Sequence, residues 1–433
     1  MITGGPGGSG PLFAQSFIFP GIQQTVESGL SQTNTSGATG ILSNPANILR
    51  VDHDLQEPKA PQEQKAKKSQ KINKYDKRAI ETRGIEAYGD LSLLNVNYSY
   101  ARSGYDATQI SQTAPPITIG MVWRPRSEFA VGLLLIPRPD LGSGIDVKNL
   151  AQEQPGEVVV VNANLKSASV TTGLGFSAEL TPKISAGISV VEYAEQNSIS
   201  AISVINPGAA PLVQMKFDGS FFQFILGSRF SPNDKTLIGA SYRTAVEKKY
   251  SGSMSLLGAD EISTDKVGYL PGTFAVGVEQ DFARSTFFSE FRHESWSAGK
   301  NIARAGGIGG AESTAYNDVF IFIAGGRTKI TQNQTASVSL GNYPANVGFG
   351  SRVDANFRTT GDAAPTGGVE FGDFDALDRL MFSGSYRLNR AKGYLQGGLN
   401  FITGGRVVPS GHKNAGNFKL SVITFSGGGT LAF

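Results

Sequence analysis

Cysteine is absent from the 433 residues, and histidine occurs only at His53, His293 and His412. The first absence removes disulfide frameworks, thiolate catalysis, iron–sulfur clusters and cysteine-ligated zinc together. The second argues against a multi-histidine metal site, which would have to gather its imidazoles from remote segments. Long apolar runs are missing too. The longest, LLLI at 133–136 and VFIFIA at 319–324, fall far short of the roughly 20 residues of a membrane-spanning helix, so a helical membrane protein is excluded. Charge is sparse, at 17% of residues with a net +3. Basic residues exceed acidic ones locally, nine Lys/Arg against three Asp/Glu between Lys59 and Arg83. Elsewhere acidic side chains outnumber basic ones, which excludes a generally basic nucleic-acid binder. No Lys or Arg precedes Arg50. A secretory signal with a basic start is therefore not expected in this chain: either the protein is not exported or the signal has been removed.

What is abundant is glycine, 54 residues, far above the share usual in a soluble domain. Three zones follow. Residues 1–50 are nearly uncharged and rich in Gly, Ser, Thr and Asn around one apolar cluster, LFAQSFIF at 12–19. Residues 51–83 are polar and Lys-rich, with almost no apolar face, and read as a solvated insertion. Residues 84–433 form the body, and there the hydrophobic period is two. In VTTGLGFSAEL, Val170, Thr172, Leu174, Phe176, Ala178 and Leu180 face one way, and Thr171, Gly173, Gly175, Ser177 and Glu179 the other. The same register recurs in TFAVGVEQDF at 273–282, in TFFSEFRHESW at 286–296 and in FSGSYRL at 382–388. One face is greasy, the other small or polar.

Such segments predict fourteen strands, at 85–101, 115–125, 128–137, 158–180, 183–205, 212–230, 235–250, 263–282, 285–297, 315–330, 333–341, 377–388, 392–406 and 417–433. Short connections alternate with long ones. A sandwich or propeller has no reason to segregate its short turns to one end, whereas an outer-membrane barrel has short periplasmic turns, longer extracellular loops and an even strand count. The expected fold is all-β: a 14-stranded antiparallel transmembrane β-barrel with both termini periplasmic. Small inward residues let such strands curve and close. The final strand, VITFSGGGTLAF, keeps Ile423, Phe425, Leu431 and Phe433 on one face. A terminal Phe closing an alternating strand resembles substrates of the barrel-insertion machinery of Gram-negative bacteria.

Within the first zone, SGATGILSNPANIL contains Asn44, Pro45 and Ala46, which resemble the NPA motif of the FadL/TodX family of outer-membrane transporters for hydrophobic compounds. Residues 113–139 resemble that family's second and third strands, YLPGTFAVGVEQDF at 269–282 its Leu-Pro strand opening, and DRLMFSGSYRL at 378–388 its Asp-Arg strand. The resemblance implies that 1–50 form a plug, or hatch, inside the lumen, that 51–83 are a periplasmic insertion, and that 84–433 form the barrel. It implies a monomer in outer-membrane lipid and lipopolysaccharide, taking up a hydrophobic small molecule, long-chain fatty acids foremost, by passive diffusion with plug rearrangement. It further implies a kinked third strand that opens laterally, here matched by Pro137 and Pro139. Proline lacks the donor that a sheet interior needs, so this pair is expected to break ladder pairing.

Leu12, Phe13, Phe17 and Phe19 are the candidate apolar ligand contacts of the plug, and Arg229 and Arg292 the candidate receivers of a ligand carboxylate, because a guanidinium offers a fixed fork of donors. Asn44 suits a turn that anchors the plug, since Asn bonds nearby backbone and Pro45 fixes φ. Enzyme chemistry is not expected, and neither a cofactor nor a metal is called for. Glu290, Arg292 and Glu294 read as lumen ion pairs; His293-Glu294 lacks the second His of a zinc-protease motif, having Ser297 there; and GPGGSG at 5–10 has no preceding strand to make it a dinucleotide loop. Two alternatives stand beside the transporter. A general porin would explain the polar inner face, and a structural barrel docking a periplasmic or secretion partner would use the Lys-rich segment as its basic patch.

Overall fold

The computed structural model describes residues 32–50 except 34, and 84–433 except the stretches 102, 105–106, 139–144, 155–156, 204–212, 257–259, 300–302, 305–311, 314–316, 347–376, 391 and 411–414. Alternating segments become strands wherever one face finds an apolar surrounding and the other a polar one. In chain order these are β1 Gly84–Ala101, β2 Thr108–Ala114 continuing as Ile117–Arg126, β3 Phe129–Arg138 continuing as Ile145–Gln154, and β4 Glu157–Thr181. Next come β5 Ile184–Ser203, β6 Val213–Asn233, β7 Thr236–Arg243 with Val246–Leu256, and β8 Ile262–Leu270 with Gly272–Asp281. The series ends with β9 Ser285–Ser295, β10 Val319–Thr331, β11 Gln334–Tyr343, β12 Asp378–Arg390, β13 Gly393–Val408 and β14 Gly416–Ala432. Each strand pairs antiparallel with the next, and β1 pairs with β14 from Glu86↔Ala432 to Ala101↔Asn417. The sheet is thus a closed barrel of fourteen strands.

Its faces are inverted relative to a water-soluble protein. Leu133, Leu174, Ile188, Phe224, Phe322 and Phe425 point outward and are exposed, while Gln223, Glu290 and Asn400, each 1% exposed, point inward. That inversion suits hydrocarbon outside and a filled polar lumen inside. At one end the connections are two or three residues long, at 127–128, 182–183, 234–235, 282–284, 332–333 and 391–392. These are the six short turns expected from the sequence. Short turns mark the periplasmic side, where both termini lie.

The other ends differ from expectation in detail. The segment 138–157, expected as a loop, carries strand over Ile145–Gln154, and 102–114 carries strand over Thr108–Ala114. These extensions pair with one another, Gln109↔Lys148 to Ser111↔Asp146. Their sequences, TQISQTA and IDVKNLAQEQ, lack a greasy face, which is why a hydrophobic period does not reveal them.

Two apolar clusters fill the interior. One joins Ile41, Leu42, Ile48 and Leu49 of the N-terminal segment to Val122, Ala130, Leu134, Ile136, Val191 and Ile225 of the wall. The other, toward the extracellular end, is built from inward residues of the upper strands, among them Tyr98, Phe217, Phe221, Tyr250, Met381 and Phe418.

Candidate functional site: a plugged lumen

The N-terminal segment lies inside the barrel as tandem 3-10 helices, Gly37–Leu42 and Pro45–Leu49. The second starts at Pro45 because Asn44 caps it: the Ala46 N–H donates to Asn44 Oδ1 at 3.2 Å, and proline's fixed φ suits the first turn. Asn44 Nδ2 donates outward to the carbonyl of Ser228 on β6 at 2.9 Å and inward to that of Gln32 at 3.2 Å. Asn44, Asn47 and Ala46 are all fully buried. The Asn-Pro-Ala motif therefore staples plug to wall and presents no polar atom to open space.

Glycine is what lets this plug touch the wall. A Cβ on Gly227 would meet Pro45 Cδ at 2.7 Å, one on Gly187 the Ala46 nitrogen at 2.6 Å, one on Gly173 the Ile41 side chain at 2.7 Å, and one on Gly277 the Gln32 Cβ at 2.8 Å. Gly132, Gly175 and Gly239 also abut Ile41, Ile48 or Gln32. Several of these are paired across neighbouring strands, Gly132↔Gly175, Gly187↔Gly227 and Gly239↔Gly277. The result is a glycine belt lining β3 to β8 at plug level.

Polar ties complete the seal. Arg50 donates to Glu279 on β8 at 3.2 Å, and Arg327 on β10 reaches the same carboxylate at 3.5 Å. Arg124 on β2 pairs with Glu86 on β1 at 3.1 Å and donates to the carbonyl of Ile48 at 3.1 Å. Ser177 and Ser189 donate to the carbonyls of Ala46 and Ile41 at 3.2 and 2.6 Å, and Arg243 donates to that of Leu42. The Gln32 N–H donates to Glu290 on β9 at 2.9 Å. A buried ion pair needs further hydrogen bonds to offset its desolvation, and for Arg124 the plug carbonyls of Ile48 and Arg50 supply them, at 3.1 and 3.4 Å.

Beyond the plug the lumen turns apolar and aromatic. Tyr100 stacks on Phe418 with centroids 4.5 Å apart, and Tyr193 on Phe221 at 5.3 Å. Set in this wall is a buried ion pair: Lys248 Nζ on β7 lies 3.0 Å from Glu195 Oε1 on β5, and the Tyr250 hydroxyl donates to Glu195 Oε2 at 2.5 Å.

Between β2 and β3 the described ladder runs from Arg126↔Phe129 to Ile119↔Leu135, and a second described stretch from Ser111↔Asp146 to Gln109↔Lys148. Pro115 and Pro116 lie between these two stretches on β2, where neither offers a backbone N–H to a ladder.

Of the residues singled out from sequence, Asn44, Pro45 and Ala46 lie at the plug staple. Pro137 is paired to Val170 on β4, and Pro139 is outside the described residues. Arg292 pairs with Glu290 at 2.7 Å, and Arg229 donates to Ser185 at 3.2 Å on the periplasmic side of the plug. Leu12, Phe13, Phe17, Phe19 and the Lys-rich 59–83 lie outside the described residues. Sequence reasoning missed Pro115-Pro116, whose adjacency inside an alternating segment was a readable signal, and the Glu195–Lys248 pair, whose members lie 53 positions apart.

The class these features define is an outer-membrane β-barrel of fourteen strands occluded by an N-terminal plug. No protein-family model matches the sequence, and neither does any curated protein. Solved structures do match in fold. A Pseudomonas aeruginosa FadL homologue is 13% identical with TM-score 0.66, covering 96% of this chain and 98% of its own. The P. putida toluene transporter TodX is 13% identical with TM-score 0.60, covering 95% and 98%. The Ralstonia pickettii toluene transporter TbuX is 12% identical with TM-score 0.58, covering 95% and 98%. The likeness establishes the FadL/TodX-type fold.

Proposed function

We propose that the protein is a passive channel that admits hydrophobic small molecules through the outer membrane. The observation that carries this reading is the zoning of the lumen: an apolar, aromatic lining toward the extracellular end, and beneath it a plug seated on glycines and ion pairs. A greasy ligand gains by leaving water for such a lining. The plug closes the floor, and a sideways path toward lipid would pass the wall near Pro115 and Pro116, which give no backbone donor to a ladder. The toluene transporters of the same fold support the ligand class. Long-chain fatty acids, the substrate foremost from sequence, share with aromatic hydrocarbons the need for such a path. A water-filled porin is disfavoured by the buried plug, in which Thr33, Asn44 and Asn47 are fully enclosed.

The test is saturable binding and uptake. Purified protein in detergent is titrated with toluene and dodecanol, and cells lacking or carrying the gene are compared for growth on hydrophobic carbon sources. Saturable binding with gene-dependent uptake supports the channel. High ionic conductance without binding of either ligand overturns it.

A further inference from the structure

We propose that Glu195 makes the apolar upper lumen selective for uncharged hydrophobic ligands by neutralising Lys248 in advance. The inference rests on the transport reading above and narrows its substrate class.

Among the described residues Lys248 is the one buried lysine, with 0% exposure. Its Nζ stands 4.6 Å over the Phe221 ring, which stacks on Tyr193 and meets Tyr250 edge-on at 6.3 Å. An ammonium in such a setting is a strong attractor for a carboxylate, because little solvent screens it. That position is already filled: Glu195 Oε1 lies at 3.0 Å, and the Tyr250 hydroxyl holds the other oxygen. A fatty-acid anion arriving here meets the Glu195 charge beside the cation it would seek, and gives up its hydration for no new counter-ion. A hydrocarbon, an alcohol or an ester gives up no charge hydration. Arg292 likewise has its charge met within the wall, by Glu290 at 2.7 Å. The upper lumen thus attracts by apolar area and discriminates by charge already paired within the wall.

The experiment uses the full chain in detergent, with dodecanol and dodecanoate as probes of one chain length. At pH about 8, where the acid is ionised, dodecanol should bind at least about ten-fold tighter. Replacing Glu195→Gln removes the built-in counter-ion, so the dodecanoate-to-dodecanol affinity ratio should rise by about ten-fold or more. Wild-type protein supplies a second measurement that needs no variant: lowering the pH to about 4, where the acid is largely neutral, should bring dodecanoic acid close to dodecanol. Equal binding of both probes at the higher pH, a ratio unmoved by Glu195→Gln in a folded barrel, or fatty-acid binding indifferent to pH each overturns this inference and leaves the transport reading standing. Saturable binding of neither probe overturns the transport reading and this inference with it.

Discussion

Arg50, the last described residue of the plug, pairs with Glu279 on the eighth strand at 3.2 Å, with side-chain exposures of only 3% and 7%. The plug is therefore fastened at its C-terminal end by charge as well as by packing. Replacing Glu279→Gln leaves Arg50 and Arg327 facing a neutral amide, and breaking a buried pair on one side costs about 3–5 kcal/mol. The expected result is a lower unfolding temperature on heat-modifiability gels and more frequent open events in planar bilayers. An unchanged midpoint with silent bilayers would count against this fastening.

The glycine belt makes a prediction of opposite chemistry, since it concerns added atoms. Gly227→Val places side-chain carbon where Asn44 and Pro45 sit, so the plug should be unseated while the barrel still closes. The native chain has no cysteine, so Ala46→Cys gives a clean reporter. That thiol should resist labelling in an otherwise wild-type barrel and react at least about ten-fold faster with Gly227→Val beside it, as expected when a buried segment is released.

The proposed sideways route gives the third test. Pro115→Val with Pro116→Thr restores the backbone donors that a strand interior needs. Folding should be preserved and uptake of toluene should fall; full uptake through the repaired wall would remove the sideways route from the mechanism.

The outward face can be challenged directly. Leu174 is exposed and lies seven residues from the end of its strand at Thr181, near mid-membrane depth. Leu174→Arg should destabilise the barrel by about 2–4 kcal/mol in phospholipid bilayers, read as a shift in the urea midpoint. A shift near zero would place this face away from hydrocarbon.

The barrel was legible because lipid and lumen impose opposite demands on successive residues, and segments such as VTTGLGFSAEL record both. The strand extensions were not, because TQISQTA at 108–114 carries no hydrophobic period. The plug was visible as composition and as Asn44-Pro45-Ala46, yet its seat was not, since which glycine meets which plug atom depends on register. Glu195 with Lys248 belongs to the same class: both read as ordinary strand polar residues until the barrel closes and sets them 3.0 Å apart.

The glycines at plug level mean that the wall is a casting of one particular insert. Gly173 has room for Ile41 and Gly227 for Pro45 only because each lacks a carbon that most residues carry. A plug transplanted from another barrel of this fold would arrive with its bulk in different places, finding hollows where it has nothing and obstruction where it has a side chain. Barrel and plug are in that sense a fitted pair, and a chimera would need its inner glycines moved along with its N-terminal segment.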